Sequence, residues 1–448
     1  MTRQADGPQT QPLANAEKAF RAFLEATSLS EELHRNHIHL RHSYGRNNAF
    51  LGWDDPPFRA AIKVIQQASP QVSERTIGAV LTESMIKLFE EHAIEQGVDS
   101  GGELHLDTIL PSLPNAAIEE EVRNIIDYVQ DQVESHTVFV PLEGIEPLSS
   151  EIRIGHSIVY ANDRGPLPAL LQERTKDKAW KRIVKYCDQV LAAAGCYVAV
   201  DEEGDDTAAS ALALQDAQDL VDILNLYVAS ALDRDRGLGK IAVMGQVGIL
   251  GEQIVVFARV AAEGESRTVL GFKARKPPRR RHKIRTANPQ EWKQCGLEQV
   301  VASFTYVGSN PTAIESRLRR SVRWYSKGIS ADSTDEQFVA LAVALESLLI
   351  GSEGIGLRVS WGSITQRLAD RVAFLLGSGY DQRADLERDV KRLYRLRSKV
   401  VHQGGMVSRL NLASMDSIAC STIQAFANQG FRSWDEFLEW ESKRKYSE

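Results

Sequence analysis

The 448-residue sequence predicts an α+β protein that is mostly α. Three observations predict it. Apolar residues recur at helical spacing over the first ~135 residues. The pattern then changes to alternating, Val- and Ile-rich segments up to about residue 285. Helical spacing returns at about Thr312 and continues to the end. The chain accordingly reads as a disordered tail (1–14), a helical N-terminal region (15–135), a middle α+β domain with an antiparallel sheet (136–290) and an all-α bundle (312–445).

The tail is polar and rich in Gln and Pro, a composition that buries too little apolar surface to order itself. "AEKAFRAFLEAT", "PPFRAAIKVIQQAS" and "SERTIGAVLTESMIKLFEEHAIEQG" then repeat apolar residues at three and four. "NAAIEEEVRNIIDYVQDQV" places Ile118, Val122, Ile125, Ile126 and Val129 on one face, with Asn115 expected as its N-terminal cap. In the middle domain, "HTVFVPLEGI", "EIRIGHSIVYAND" and "CYVAVDEE" read as strands, as do "KIAVMGQVG", "EQIVVFARVA" and "SRTVLGFKARK". Two helices lie among them: "AWKRIVKYCDQVLAAAG", stopped by Gly195, and "ALALQDAQDLVDILNLYVASAL". The acidic run "DEEGDD" lacks calcium-loop spacing and reads as a solvated loop. From Thr312, five amphipathic segments and a short sixth capped by Ser433 predict a bundle with antiparallel neighbours.

Composition narrows the function. A net charge of −7 excludes a protein that coats nucleic acid along its whole surface. The exception is "KARKPPRRRHKIR", where Lys273, Arg275, Lys276, Arg279, Arg280, Arg281, Lys283 and Arg285 stand without one acid. Such a stretch is either a landing strip for RNA or DNA or a solvated linker, and it lacks aromatics for base stacking. Cys187, Cys196, Cys295 and Cys420 match no zinc or disulfide spacing and read as free thiols. No signal-peptide pattern and no membrane-length apolar run is present, so the expected location is cytoplasmic, with no membrane partner. His34, His37, His39 and His42 cluster beside arginines that disfavour a cation, so no metal is expected there. "GQVGILG" lacks the Gly-Lys-Ser/Thr ending of a phosphate loop and reads as a turn. No cofactor is expected.

The segment with the most chemistry is "LRSKVVHQGG". Arg397 and His402 stand five positions apart, roughly 140° on an ideal helix, whereas Arg395 and His402 stand roughly 20° apart. Gly404 and Gly405 end the helix and are expected to let its last turn tighten or unwind, bringing Arg397 toward His402. A histidine at a helix C-terminus, where the dipole favours the imidazolium, suits proton transfer. A nearby arginine suits a bidentate grip on phosphate. By spacing alone, the same residues also fit ordinary helix-end punctuation.

Three pieces, "FVALAVALESLL", "QRLADRVAFLL" and "LYRLRSKVVHQGG", come in an order that resembles the Apea-like branch of the HEPN superfamily. Tyr394, Arg397, Ser398, Val400, Val401 and His402 fit that family's terminal pattern, with Gln403 displacing the glycine by one place. The resemblance covers under a third of the chain. It implies a metal-independent endoribonuclease that forms a 2′,3′-cyclic phosphate and works as a homodimer on RNA, in antiviral defence or as a growth-arresting toxin. Arg397 and His402 would be its catalytic pair, aided by Ser398, with Arg395 in reserve. Tyr394 would support the motif, and Glu346, on an otherwise apolar helix, would pair with Arg371 or Arg397. The earlier regions would sense a trigger or contact a regulatory protein. The alternative is a catalytically inactive HEPN scaffold that binds nucleotide, nucleic acid or a partner protein.

Overall fold

The computed structural model describes residues 10–28, 56–95, 113–231 (save 146, 149–150, 155–156, 177 and 179–180), 241–243, 255–259, 269–273, 304, 312–350 (save 332) and 364–446. The chain divides into two compact units, one of residues 1–136, 202–212 and 259–267, the other of residues 137–201, 213–258 and 268–448. The fold is mostly helical with one antiparallel sheet, as the apolar spacing predicts.

Among the described residues, four helices lie wholly in the first unit: α1 (Thr10–Ser28), α2 (Pro56–Ala68), α3 (Glu74–Glu95) and α4 (Asn115–Asp131). Phe20, Phe23, Leu24, Phe58, Leu81 and Val122 close their shared core, with the rings of Phe23 and Phe58 5.0 Å apart. Two expectations are corrected here. Helix α1 begins at Thr10, inside the expected tail, because Pro12 lies in the first turn, where no N–H is needed. Helix α4 has Pro114 rather than Asn115 at its N-cap; Asn115 is already helical, and its side chain instead accepts a hydrogen bond from Arg21 at 2.9 Å.

A seven-stranded sheet comprises β1 (Glu134–Glu143), β2 (Ile152–Ile154), β3 (Ser157–Ala161), β4 (Cys196–Gly204), β5 (Ala242–Val243), β6 (Val255–Arg259) and β7 (Val269–Lys273). Its order is β2-β3-β4-β1-β6-β7, with β5 paired to β1. Antiparallel register sets Tyr160 opposite Tyr197, and their rings stack at 5.5 Å. Against this face pack α5 (Pro166–Arg174) and α6 (Lys181–Ala194), through Leu167, Leu171, Val184 and Leu191. Periodicity did not announce α5, because Pro166 and Pro168 interrupt a nine-residue segment; both fall in the first turn, where proline is compatible with a helix.

"DEEGDD" is not a solvated loop. Asp201 to Gly204 complete β4, and Asp205 is buried at the start of α7 (Asp206–Ala231). Its carboxylate accepts from the Ala208 N–H at 2.6 Å, from the Ser73 N–H at 3.0 Å and from the Ser73 hydroxyl at 2.7 Å. The carboxylate thus caps α7 and ties a second segment to it, which is why it is buried rather than solvated.

The last six helices are α8 (Ala313–Ser330), α9 (Thr334–Leu349), α10 (Ile364–Leu376), α11 (Tyr380–Gln403), α12 (Arg409–Gln429) and α13 (Trp434–Tyr446). Their ends follow local chemistry. Thr312 and Glu315 form a reciprocal capping box, Ser333, Ser408 and Ser433 each accept from the N–H three residues on, and Gly404 and Gly430 stop helices in left-handed backbone. The core runs through Val322, Tyr325, Phe338, Leu345, Val372 and Leu393 to a ring cluster of Phe426, Phe431, Phe437 and Trp440. Gly328 lets α8 and α9 cross closely, since a Cβ there would lie 3.2 Å from Leu341.

Candidate functional site

The site is built where α11 ends beside α9. Leu393, Tyr394, Leu396 and Val400 turn toward the core and fix the rotation of α11. Tyr394 is nearly inaccessible and donates a hydrogen bond to the Ala342 carbonyl at 2.8 Å. Burial pushes its hydroxyl well above the ordinary phenol range; the Glu346 carboxylate adds to this and the Arg397 guanidinium opposes it. These three side chains therefore share one small polar patch on an apolar seam.

Within that patch, Arg397 Nη2 lies 3.5 Å from Glu346 Oε1, each side chain a little over a quarter exposed. Arg397 Nε is buried without a hydrogen-bond partner among the described residues. Arg371, the other expected partner of Glu346, is engaged elsewhere. It reaches Glu441 at 3.0 Å and the Leu349 carbonyl, and lies over the Trp434 ring. Arg317 reaches the Ser347 and Ile350 carbonyls, so two guanidiniums complement the C-terminal end of α9.

The last turn of α11 stays regular, contrary to expectation. Helical structure runs through Gln403, and the Gly404 N–H reaches the Val400 carbonyl at 3.2 Å, an ordinary α-helical bond. Gly404 alone absorbs the reversal (φ 66°, ψ 34°), so nothing upstream needs to unwind. Arg397 and His402 thus remain roughly 140° apart around the helix, and one copy of the chain does not bring them together. Arg395, Ser398 and His402, at spacings of three and four, line one solvent-exposed face instead.

Beyond the tip, the chain is pinned rather than loose. The Val407 N–H donates to Asp335 Oδ1 at 2.8 Å, and Arg392 donates to Asn411 at 2.6 Å. Yet Val401, Met406 and Leu410 are uncovered, at 47%, 89% and 81% exposure. Of the basic stretch, Lys273 ends β7, while Arg275, Lys276, Arg279, Arg280, Arg281, Lys283 and Arg285 lie outside the described residues. The histidine cluster at 34–42, "GQVGILG" and Cys295 also lie outside them; Cys187, Cys196 and Cys420 are buried free thiols.

A second polar cluster was not singled out from the sequence. On α7, Asp219 and Asp222 are 2% and 3% exposed and face Arg319 and Arg323 of α8. Arg319 pairs with Asp219, and Arg323 reaches Asp219 at 3.3 Å and Asp222 at 3.9 Å. Gln218 donates to Asp222 at 2.8 Å, and Asn225 bridges Ser326 and the Ile241 backbone. Burial raises both carboxyls, that of Asp222 to about 7. The hint lay in "RLRRSVR", whose arginines at i and i+4 reach the acids spaced three apart in "DLVD".

No protein-family model, no curated protein and no solved structure matches the chain. Among the described residues, no helix is long and apolar enough to cross a membrane.

Proposed function

We propose that the protein is a metal-independent endoribonuclease of the HEPN type whose reactive groups lie at the end of α11. One observation carries the reading. A regular helix end offers Arg395, Ser398 and His402 on one open face and steadies Arg397 on Glu346 around the other side, amid uncovered Val401, Met406 and Leu410. A single copy leaves Arg397 and His402 apart. Two copies joined tip to tip would cover the apolar residues and set both motifs around one groove.

In that groove the RNA 2′-hydroxyl would pass its proton to one neutral His402 imidazole as its oxygen attacks the adjacent phosphorus. Guanidiniums of Arg397 or Arg395 would hold the non-bridging oxygens as negative charge gathers on them. The bond from phosphorus to the 5′-oxygen breaks, and that oxygen takes a proton from the second, protonated His402. The products are a 2′,3′-cyclic phosphate and a 5′-hydroxyl end. Basic residues 273–285 would hold the RNA backbone, and the residues before the bundle would restrain or trigger cleavage in defence or growth arrest.

The test is cleavage of total RNA in excess chelator. His402→Ala should lower the rate by about 10²–10⁴-fold, the scale of a lost proton-transfer group, without lowering the melting temperature, because the side chain is exposed. The variant should also relieve growth arrest on expression. Met406→Glu should shift sedimentation toward monomer and reduce cleavage together. Full cleavage by His402→Ala would end the proposal. A second reading, an inactive scaffold, is favoured by the contact of Arg397 with Glu346, which sets a carboxylate against one nitrogen of the guanidinium a phosphate would need. Absence of cleavage by the wild-type dimer would select it.

A further inference from the structure

A groove of about 380 Å³ opens between α5 and α6, away from the α11 tip. Its floor is apolar: Leu171, Val184 and Leu191 belong to the core beneath and are each no more than 5% exposed. Pro168 and Ala192 continue the apolar surface toward the rim. The volume is within the range of small-molecule sites.

The wall formed by residues 162–168 is tied down by hydrogen bonds. The buried Tyr197 hydroxyl donates to the Arg164 carbonyl at 2.6 Å and accepts from the Leu167 N–H at 3.3 Å. The Asn162 N–H reaches the Gly195 carbonyl at 3.0 Å. Gly165 takes φ 81° where a Cβ would strike the Tyr197 hydroxyl, so glycine is required for the wall to close over that ring.

The polar groups of the rim are unbalanced. Thr175 donates its hydroxyl proton to the Gln172 carbonyl at 2.6 Å, and Asn162 Nδ2 donates to the Leu191 carbonyl at 3.2 Å. Those two donors are engaged inside the protein, and the Gln172 side-chain amide adds one donor group and one acceptor to the rim. Asp163 and Asp188 add two carboxylates, acceptors only when ionised, and no ion pair ties either one to a described cation. Among the described residues, no lysine, arginine or histidine lines the groove. A ligand that matches it brings hydrogen-bond donors and positive charge to the rim and apolar surface to the floor.

We propose that this groove binds a small organic cation, an amine or guanidine carried on an apolar body. The body would lie over Leu171, Val184 and Leu191, and the cationic end would meet Asp163 and Asp188. The inference is independent of the nuclease reading and gives the α+β region a ligand of its own.

Isothermal titration of the full chain with tryptamine and with agmatine tests it, with tryptophol as a neutral match to tryptamine. At least one cation should bind saturably, one per chain, with Kd at or below about 1 mM. Tryptophol should bind at least about tenfold more weakly than tryptamine. Asp163→Asn and Asp188→Asn, both at exposed positions, should each weaken the bound cation without shifting the melting temperature. Ala192→Trp, which fills the rim from an exposed position, should abolish binding. The proposal is overturned if neither cation binds, if tryptophol binds as well as tryptamine, or if binding survives Ala192→Trp.

Discussion

At the scale of single residues, the contact between Glu346 and Arg397 does more for geometry than for stability. Both side chains keep some access to water, so the pair is worth under about 1 kcal/mol. Its structural effect is larger, because a long guanidinium side chain is held in one place beside the rigid Tyr394 ring. Glu346→Gln removes the charge and keeps the shape. Under the proposed nuclease function, the expected outcome is a melting temperature within a few degrees of wild type and a clear fall in RNA cleavage, with kcat affected more than KM. Equal cleavage by the variant and the wild type would leave Glu346 as an incidental surface partner. The sequence made Glu346 conspicuous, since a carboxylate among Ala and Leu needs a partner. It left Arg371 and Arg397 as equals. Packing separated them, because Arg371 lies over the Trp434 ring and is engaged by Glu441 and the Leu349 carbonyl.

At the scale of elements, helix ends were the most legible features and the α11 end the most misleading. The Ser433 cap and the left-handed Gly195 and Gly404 follow rules that involve only neighbours along the chain, so they were readable without a fold. The expected unwinding at Gly404 failed for a local reason as well, because one left-handed residue suffices to end the helix. Gly404→Ala isolates that contribution. A Cβ there meets nothing within 4 Å, so the whole cost is backbone, about 1–2 kcal/mol in chemical denaturation. A larger loss would mean that the tip makes contacts beyond its own turn. Helix α5 and the Asp205 turn were hidden for the opposite reason. Their signals compete locally, with prolines against a helix and acids against burial, and tertiary partners decide the outcome.

At the scale of the whole molecule, the chain stores buried charge whose effect on stability depends on pH. Burial raises Asp222 to about 7, and neighbouring Asp219 adds to the shift while Ser326, Gln218 and Arg323 oppose it. A carboxyl whose folded pKa is raised favours the folded state most below its unfolded value of 3.8. That advantage is lost as pH rises toward about 7, where the carboxyl ionises in the folded chain too. Asp205 acts in the other direction. Burial would raise it, but hydrogen bonds from Thr76, Ala208 and Ser73 outweigh burial and lower it, so its contribution fades as the medium turns acid. Asp222→Asn should therefore flatten the decline in unfolding free energy between about pH 4 and about pH 7, measured by urea titration at several pH values. An unchanged slope would show that the carboxylate stays ionised against Arg323.

The sequence by itself determined the kinds of element and most of their ends, because hydrophobic period, caps and turn glycines act over a few residues. It also brought forward the residues of the α11 tip, through composition and resemblance. Only the tertiary structure decided which of them meet. Rotation about α11 is set by Leu393, Tyr394 and Val400 entering the core, and that rotation sends Arg397 to Glu346 and leaves Arg395, Ser398 and His402 in water. The buried carboxylates of α7 arise in the same way, where segments distant in sequence close around groups that look ordinary along the chain, and the groove forms where the successive helices α5 and α6 pack side by side.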